Sequence, residues 1–248
     1  MGGASVMGAY AEKAPSQTAQ KAPAKKPAKK PAKKAPEPVI MAERLDEIAA
    51  DQNISQSVVD IAGWVIAAED NRGLPFAIVD KHAAQILVFG SDGKLKGMAP
   101  VLLGSAMGDD SAEGVGDREL KDIPKEDRTT PAGRFLAGYG PAYGGERVLW
   151  VDYATAISIH AIPATKVSKA EKRTQRITSP KVDDNRITHG CINVSPTFYK
   201  KVVAPLFKKE GGVFYVLPDT ISVQEALPSF GAQQQVAAIE AEAGAAGR

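Results

Sequence analysis

The chain has 248 residues, 44% of them apolar and 6% aromatic, which suits one substantial globular domain with polar appendages. Its net charge of +2 is unevenly spread: residues 1–38 hold eight Lys against Glu12 and Glu37, so the remainder is acidic and offers no basic face for nucleic acid. No apolar run approaches the ~20 residues of a transmembrane helix, and the single cysteine, Cys191, excludes an intramolecular disulfide and any CxxC metal or redox motif.

Residues 1–40 are read as a disordered basic linker. Between 22 and 38 the chain repeats Ala-Pro-Ala-Lys-Lys and Pro-Ala-Lys-Lys; Pro fixes φ, neighbouring Lys repel, and the stretch stays extended and solvated. It serves as a spacer or attaches electrostatically to an anionic cell-envelope surface. Ala9-Tyr10-Ala11 has the small-x-small form of a signal-peptidase site, without a basic stretch in Met1–Gly8.

Residues 41–73 form a helical lead-in. Leu45, Ile48 and Ala49, then Val58, Val59, Ala62, Val65 and Ile66, follow helical spacing, with Asn53 and Ser55 as candidate caps. Strand signals follow. Phe76–Asp80 and Gln85–Gly90 flank the turn Lys81-His82-Ala83-Ala84 and predict a hairpin with His82 in solvent. Further strands are predicted at Met98–Gly104, Gly133–Gly138, Val148–Asp152, Ala156–His160 and Val213–Leu217. Ser195-Pro196 opens a helix that runs to Lys208 and ends at Gly211-Gly212. Trp64 and Trp150 read as packing residues. The tail 220–248, rich in Gln, Ala and Glu, is partly helical or disordered.

The chemistry concentrates in Thr188-His189-Gly190-Cys191-Ile192-Asn193. A lone Cys is ordinarily a small buried apolar side chain. Here a histidine lies two residues away, and positions i and i+2 of an extended segment face one side. A nearby imidazole can lower the thiol pKa or take its proton. Gly190 leaves room for a substrate carbonyl. Thr188 and Asn193 add polar groups able to orient the imidazole or thiol, and His160 closes a predicted strand.

These residues resemble the L,D-transpeptidase (YkuD-type) signature: Ile159-His160, a spacer, then Thr188-His189-Gly190-Cys191-Ile192-Asn193. Thr130-Pro131-Ala132-Gly133-Arg134-Phe135 resembles that family's Thr-Pro-x-Gly-x-Phe element, and Gln85-Ile86-Leu87-Val88 its opening strands. The resemblance spans 74–219. It implies a mainly β fold, a β-sandwich or barrel with few short helices. It also implies an exported enzyme of the periplasm or cell wall that acts on peptidoglycan stem peptides without cofactor or metal. Cys191 would be the nucleophile and His160 the general base. The His189, Gly190 and Cys191 loop would supply the oxyanion hole, and Thr188, Asn193 and Arg186 would line the substrate pocket. The base would be held by the backbone carbonyl of Ala161.

The stretch 161–187 departs from the family by its length and its cations: Lys166, Lys169, Lys172, Arg173, Arg176, Lys181 and Arg186. It is expected to be a structureless loop, either a lid that contacts stem-peptide carboxylates or a solvated basic insertion. Three alternatives compete with the transpeptidase: an L,D-carboxypeptidase with water as acceptor, a non-catalytic wall-binding module, and a zinc site built from His160, His189 and Cys191. The short His189–Cys191 spacing disfavours the zinc site.

Overall fold

The computed structural model describes residues 48, 50, 51, 53–142 and 147–246. The basic linker 1–40, its envelope attachment and the Ala9-Tyr10-Ala11 site fall outside the described residues, as does most of the first predicted helix.

The lead-in yields helix α1, Gln56–Ala67, capped by Ser55, whose hydroxyl accepts from the Val58 N–H. Ser55 Oγ also donates to Asp80 Oδ2 at 2.6 Å, which ties the helix start to the end of the first strand. Asn53 caps no helix; its amide bonds Asp51.

Strands β1 (Phe76–Asp80) and β2 (Gln85–Phe89) form the expected hairpin, closed where Asp80 Oδ1 accepts from the Ala83 N–H. His82 is exposed, as expected. β3 (Leu95–Pro100) and β4 (Leu103–Gly104) replace the single strand predicted at 98–104. β5 (Gly133–Pro141), β6 (Arg147–Asp152) and β7 (Ile157–Ala161) follow. After the 161–187 stretch come β8 (Arg186–Thr188), β9 (Ile192–Val194) and β10 (Gly212–Val216).

Eight strands make one sheet in the order β3-β2-β1-β10-β5-β6-β7-β9, and β4 pairs β8 beside it. Along β1, Ala77 and Val79 enter one buried cluster, while Phe76 and Ile78 enter another with α1, Leu227 and Phe230. β10 alternates likewise. Burial on both faces explains why these strands read as unbroken apolar runs. Ile86 and Val88 of β2 share the first cluster with Ile192 and Val194 of β9, near the opposite end of the strand order. The sheet therefore curls into a near-barrel around that core, in line with the expected mainly β fold. Trp64 is core; Trp150 is half-buried and donates to the Pro141 carbonyl.

The helix at 196–207 keeps its Ser195 cap but widens to π geometry over Tyr199–Val203. Pro205 follows that widening, and it lacks the N–H a regular helix would donate to Lys201. The 220–248 tail is helical at Val223–Ala226 and Pro228–Ala246.

Candidate active site

The Thr188–Asn193 motif occupies the turn from β8 into β9. β9 runs parallel to β7 with Asn193 opposite His160 and Ile192 opposite Ile159. Alternation within the strands then gathers four polar side chains: Ser158 and His160 from β7, Cys191 and Asn193 from the turn and β9. Ser158 Oγ lies 3.6 Å from Cys191 Sγ, and the thiol also points toward the Ala156 carbonyl at 3.7 Å. His160 and Cys191 are both half-buried.

His160 Nδ1 sits 2.8 Å from the Ala161 carbonyl oxygen, the support expected from the sequence. A carbonyl only accepts, so Nδ1 carries the proton and Nε2 offers a lone pair. Asn193 Nδ2 is 3.1 Å from Nε2. Burial alone would push the Cys191 thiol up, but the hydrogen bond and charge of His160, with Ser158 adding to them, bring it below its ordinary value. Burial would pull His160 down, yet Cys191 and the Ala161 carbonyl hold it above. The two shifts favour transfer of the thiol proton to His160, whose Nε2 is the acceptor.

The turn is built on a glycine. Gly190 has φ +125°, and a Cβ there would stand 2.6 Å from the Thr129 carbonyl oxygen and 2.7 Å from Ile157 Cδ1. The chain bends at 189–190, so the i, i+2 argument does not apply to His189 and Cys191; strand alternation starts at Cys191. His189 is half-buried, and burial, then the charges of Arg128 and Arg173, hold it below its ordinary value.

Other candidates turn out to support the site rather than open onto it. The Thr188 hydroxyl is buried, donating to the Cys191 carbonyl at 2.7 Å and accepting from the Gly190 N–H at 3.1 Å. It staples the turn. The Gly190 N–H, expected in the oxyanion hole, is therefore committed. Arg186 pairs with Asp219 through both terminal nitrogens and also donates to the Lys81 carbonyl, so its guanidinium is spent on a buried ion cluster. Asn193, wholly buried, bonds the imidazole. Thr130 gains a role: its hydroxyl donates to the Gly190 carbonyl at 2.8 Å and accepts from the Gly104 N–H.

The 161–187 stretch is folded, contrary to the expectation of a structureless loop. It carries helices α2 (Lys166–Ala170) and α3 (Arg173–Arg176) and a 3-10 turn at Val182–Asn185. Ile177 packs with Leu102 and Ile162 beneath it. Arg173 is buried, donating to Asn193 Oδ1 at 2.8 Å and to Glu171 Oε2 at 2.6 Å. Arg176 is spent on the carbonyls of Glu171 and Asp184. Asn185 is also buried, donating to the Val101 carbonyl.

Ser158 and the Arg173–Asn193 contact were missed in the sequence. A Ser two residues before the base on a strand was the available signal for the first; nothing local announces the second. His160, His189 and Cys191 form no three-ligand group, and no metal-holding cluster of His, Cys, Asp or Glu occurs among the described residues. Nor is any described helix long and apolar enough to cross a membrane.

The family model for the L,D-transpeptidase catalytic domain, YkuD, matches residues 75–204, just over half of the chain. The chain belongs to that family. Both His160 and Cys191 lie inside the match. No curated protein sequence matches the chain at a significant level. Similar solved structures include the helical cell shape determining protein Pgp2 from Campylobacter jejuni, at 17% identity and TM-score 0.38, covering 62% of this chain and 52% of that one. An L,D-transpeptidase from Stackebrandtia nassauensis shares 16% identity at TM-score 0.35, with 71% and 76% covered. A mutant of the Enterococcus faecium L,D-transpeptidase shares 17% at TM-score 0.33, with 57% and 49% covered. The chain spans about half the length of the Campylobacter and Enterococcus proteins.

Proposed function

We propose that this chain is a peptidoglycan L,D-transpeptidase whose 74–219 region forms the catalytic unit. The observation that carries the reading is the His160–Cys191 pair, with Nδ1 of the imidazole held by the Ala161 carbonyl and the thiol biased toward thiolate. Such a pair suits acyl transfer.

In this reading the Cys191 thiolate attacks the carbonyl carbon that precedes a terminal D-alanine. With the Gly190 N–H spent on Thr188, the N–H groups of His189 and Cys191 are the donors of that loop left for the developing oxyanion. The tetrahedral adduct collapses, the C–N bond breaks, and the leaving amine takes the proton from the His160 imidazolium. A thioester remains. An amine of a neighbouring stem peptide then attacks it, gives its proton to His160, and the C–S bond breaks to release the Cys191 thiolate as the new amide forms. Ser158 steadies the sulfur from beside it. The stems lie outside the cytoplasm, so the reading includes export to the periplasm or cell wall, with the Lys-rich 1–40 segment as a spacer against an anionic envelope.

Mass spectrometry of the protein mixed with a disaccharide-tetrapeptide, beside Cys191→Ala, tests it. A thioester on Cys191, released D-alanine and a cross-linked dimer are expected, and none with the Ala variant. Tripeptide without dimer would replace the transpeptidase by the carboxypeptidase. No adduct from a folded protein would overturn the reading in favour of the wall-binding module or an unrelated acyl substrate.

A further inference from the structure

We infer that Arg173, supplied by the 161–187 stretch, is a positioning residue that fixes the orientation of the Asn193 amide against His160 and so keeps Nε2 the unprotonated nitrogen of the resting ring.

A guanidinium has only donors. Arg173 contacts the Asn193 side chain at Oδ1, 2.8 Å away, so the oxygen end of that amide must face the arginine. The NH2 end must then face His160 Nε2, at 3.1 Å. At the other side of the ring the Ala161 carbonyl demands a proton on Nδ1. The chain from arginine to carbonyl admits one arrangement, a neutral imidazole with its lone pair on Nε2. Arg173 is itself held, through Nε, by Glu171 at 2.6 Å.

That arrangement has a consequence for proton return. Once His160 takes a proton on Nε2, its new N–H meets the Asn193 NH2, donor against donor. A free amide would rotate by half a turn and present its oxygen, trapping the imidazolium with both N–H groups satisfied. Arg173 forbids the rotation. Cys191 and Arg173 are the titratable or charged groups whose fields act on His160, one from the turn before β9 and one from the insertion. They act in opposite directions: Cys191 favours the imidazolium, and the positive charge of Arg173 opposes it. An imidazolium that is not trapped gives its proton to the leaving amine more readily.

The catalytic consequence rests on the transpeptidase reading, but the positioning can be tested without substrate. In the NMR spectrum of the otherwise unaltered protein, the Asn193 side-chain NH2 protons should show a through-space contact with the His160 ring. A spectrum in which the amide is assigned and that contact is missing overturns the inference, whatever the variants do. Next, His160 is titrated in a Cys191→Ser background, because a thiol beside it would otherwise titrate with it as one unit. Arg173→Met should raise the His160 pKa, and Arg173→Lys, which keeps a charge and a donor, should hold it near the starting value. An unchanged or lowered pKa in folded Arg173→Met is the opposite result and sinks the inference. With Cys191 restored, kcat should fall on the order of tenfold in Arg173→Met with KM little changed, as expected of partly lost acid–base catalysis. A protein without turnover would refute the transpeptidase and leave both NMR readouts standing.

Discussion

At the scale of single residues, Gly190 is the position where the turn admits no side chain. Its φ of +125° is open to glycine and costly to other residues, and the space a Cβ needs is filled by the Thr129 carbonyl and Ile157. Gly190→Ala must therefore move the turn, with a backbone cost of about 1–3 kcal/mol before the clash is counted. The expected outcome is a lower melting temperature together with slow alkylation of Cys191, because Thr130 and Thr188 no longer grip the loop. A variant that melts and alkylates like the parent would show that the turn tolerates a side chain. The motif itself was legible in the sequence because its chemistry is contiguous: thiol, glycine and polar neighbours fall within six residues. His160 was legible only through its likeness to a known pattern. Arg173 was visible as one of seven cations in the stretch, but not as the buried one, since the contact with Asn193 joins residues twenty positions apart.

At the scale of elements, the hairpins and central strands were readable because β-branched runs end at turn residues. The 161–187 stretch was not. Its helices are five and four residues long, too short for a period to emerge and too short to persist alone. Tertiary anchors hold them: Arg173 on Asn193, Arg176 on two carbonyls, and Ile177 in the small cluster with Leu102 and Ile162. Ile177→Ala removes the buried apolar anchor just beyond α3, against which Ile162 and Ile187 of the same stretch also pack. Truncation of a buried Ile costs about 2–5 kcal/mol in a well-packed core, and a three-residue cluster should give the lower end. We expect faster tryptic cleavage at the exposed Lys169, Lys172 and Lys181, while the β-sheet stays intact by circular dichroism. Cleavage at the parental rate would mean that the polar contacts alone hold the stretch. These same contacts explain why its arginines do not reach outward as a lid: each is already spent inside the protein.

At the scale of the whole molecule, a buried ion cluster joins segments far apart in sequence. Lys81, at the β1–β2 turn, has no exposed surface; its ammonium donates to Asp109, to the carbonyls of Gly108 and Thr130, and lies 3.3 Å from Asp219. Arg186 closes the cluster on Asp219. Thr130 then carries the link to the Gly190 carbonyl, so the cluster underpins the turn that bears Cys191. In the sequence Lys81 stands out only as part of the β1–β2 turn, since burial of a charge depends on partners 28 and 138 positions away. Burial would raise both carboxyls, yet Lys81, with Thr220 and backbone N–H groups, holds Asp109 far below its ordinary value. Arg186 and Lys81 do the same for Asp219. Folded-state values below the unfolded ones mean that the cluster stabilises the fold above the ordinary carboxylate pKa of ~3.9, and that this stabilisation is lost as pH falls through the depressed values. Lys81→Met leaves Asp109 buried without its cation and Asp219 with Arg186 alone, and should cost about 3–5 kcal/mol at pH 7. At pH 3 the carboxyl left without its cation in the variant takes up a proton and sheds its burial penalty, so the difference between the two proteins should shrink. Urea unfolding at pH 7 and pH 3 checks this, and an equal gap at both values would mean that Lys81 acts through packing rather than through charge.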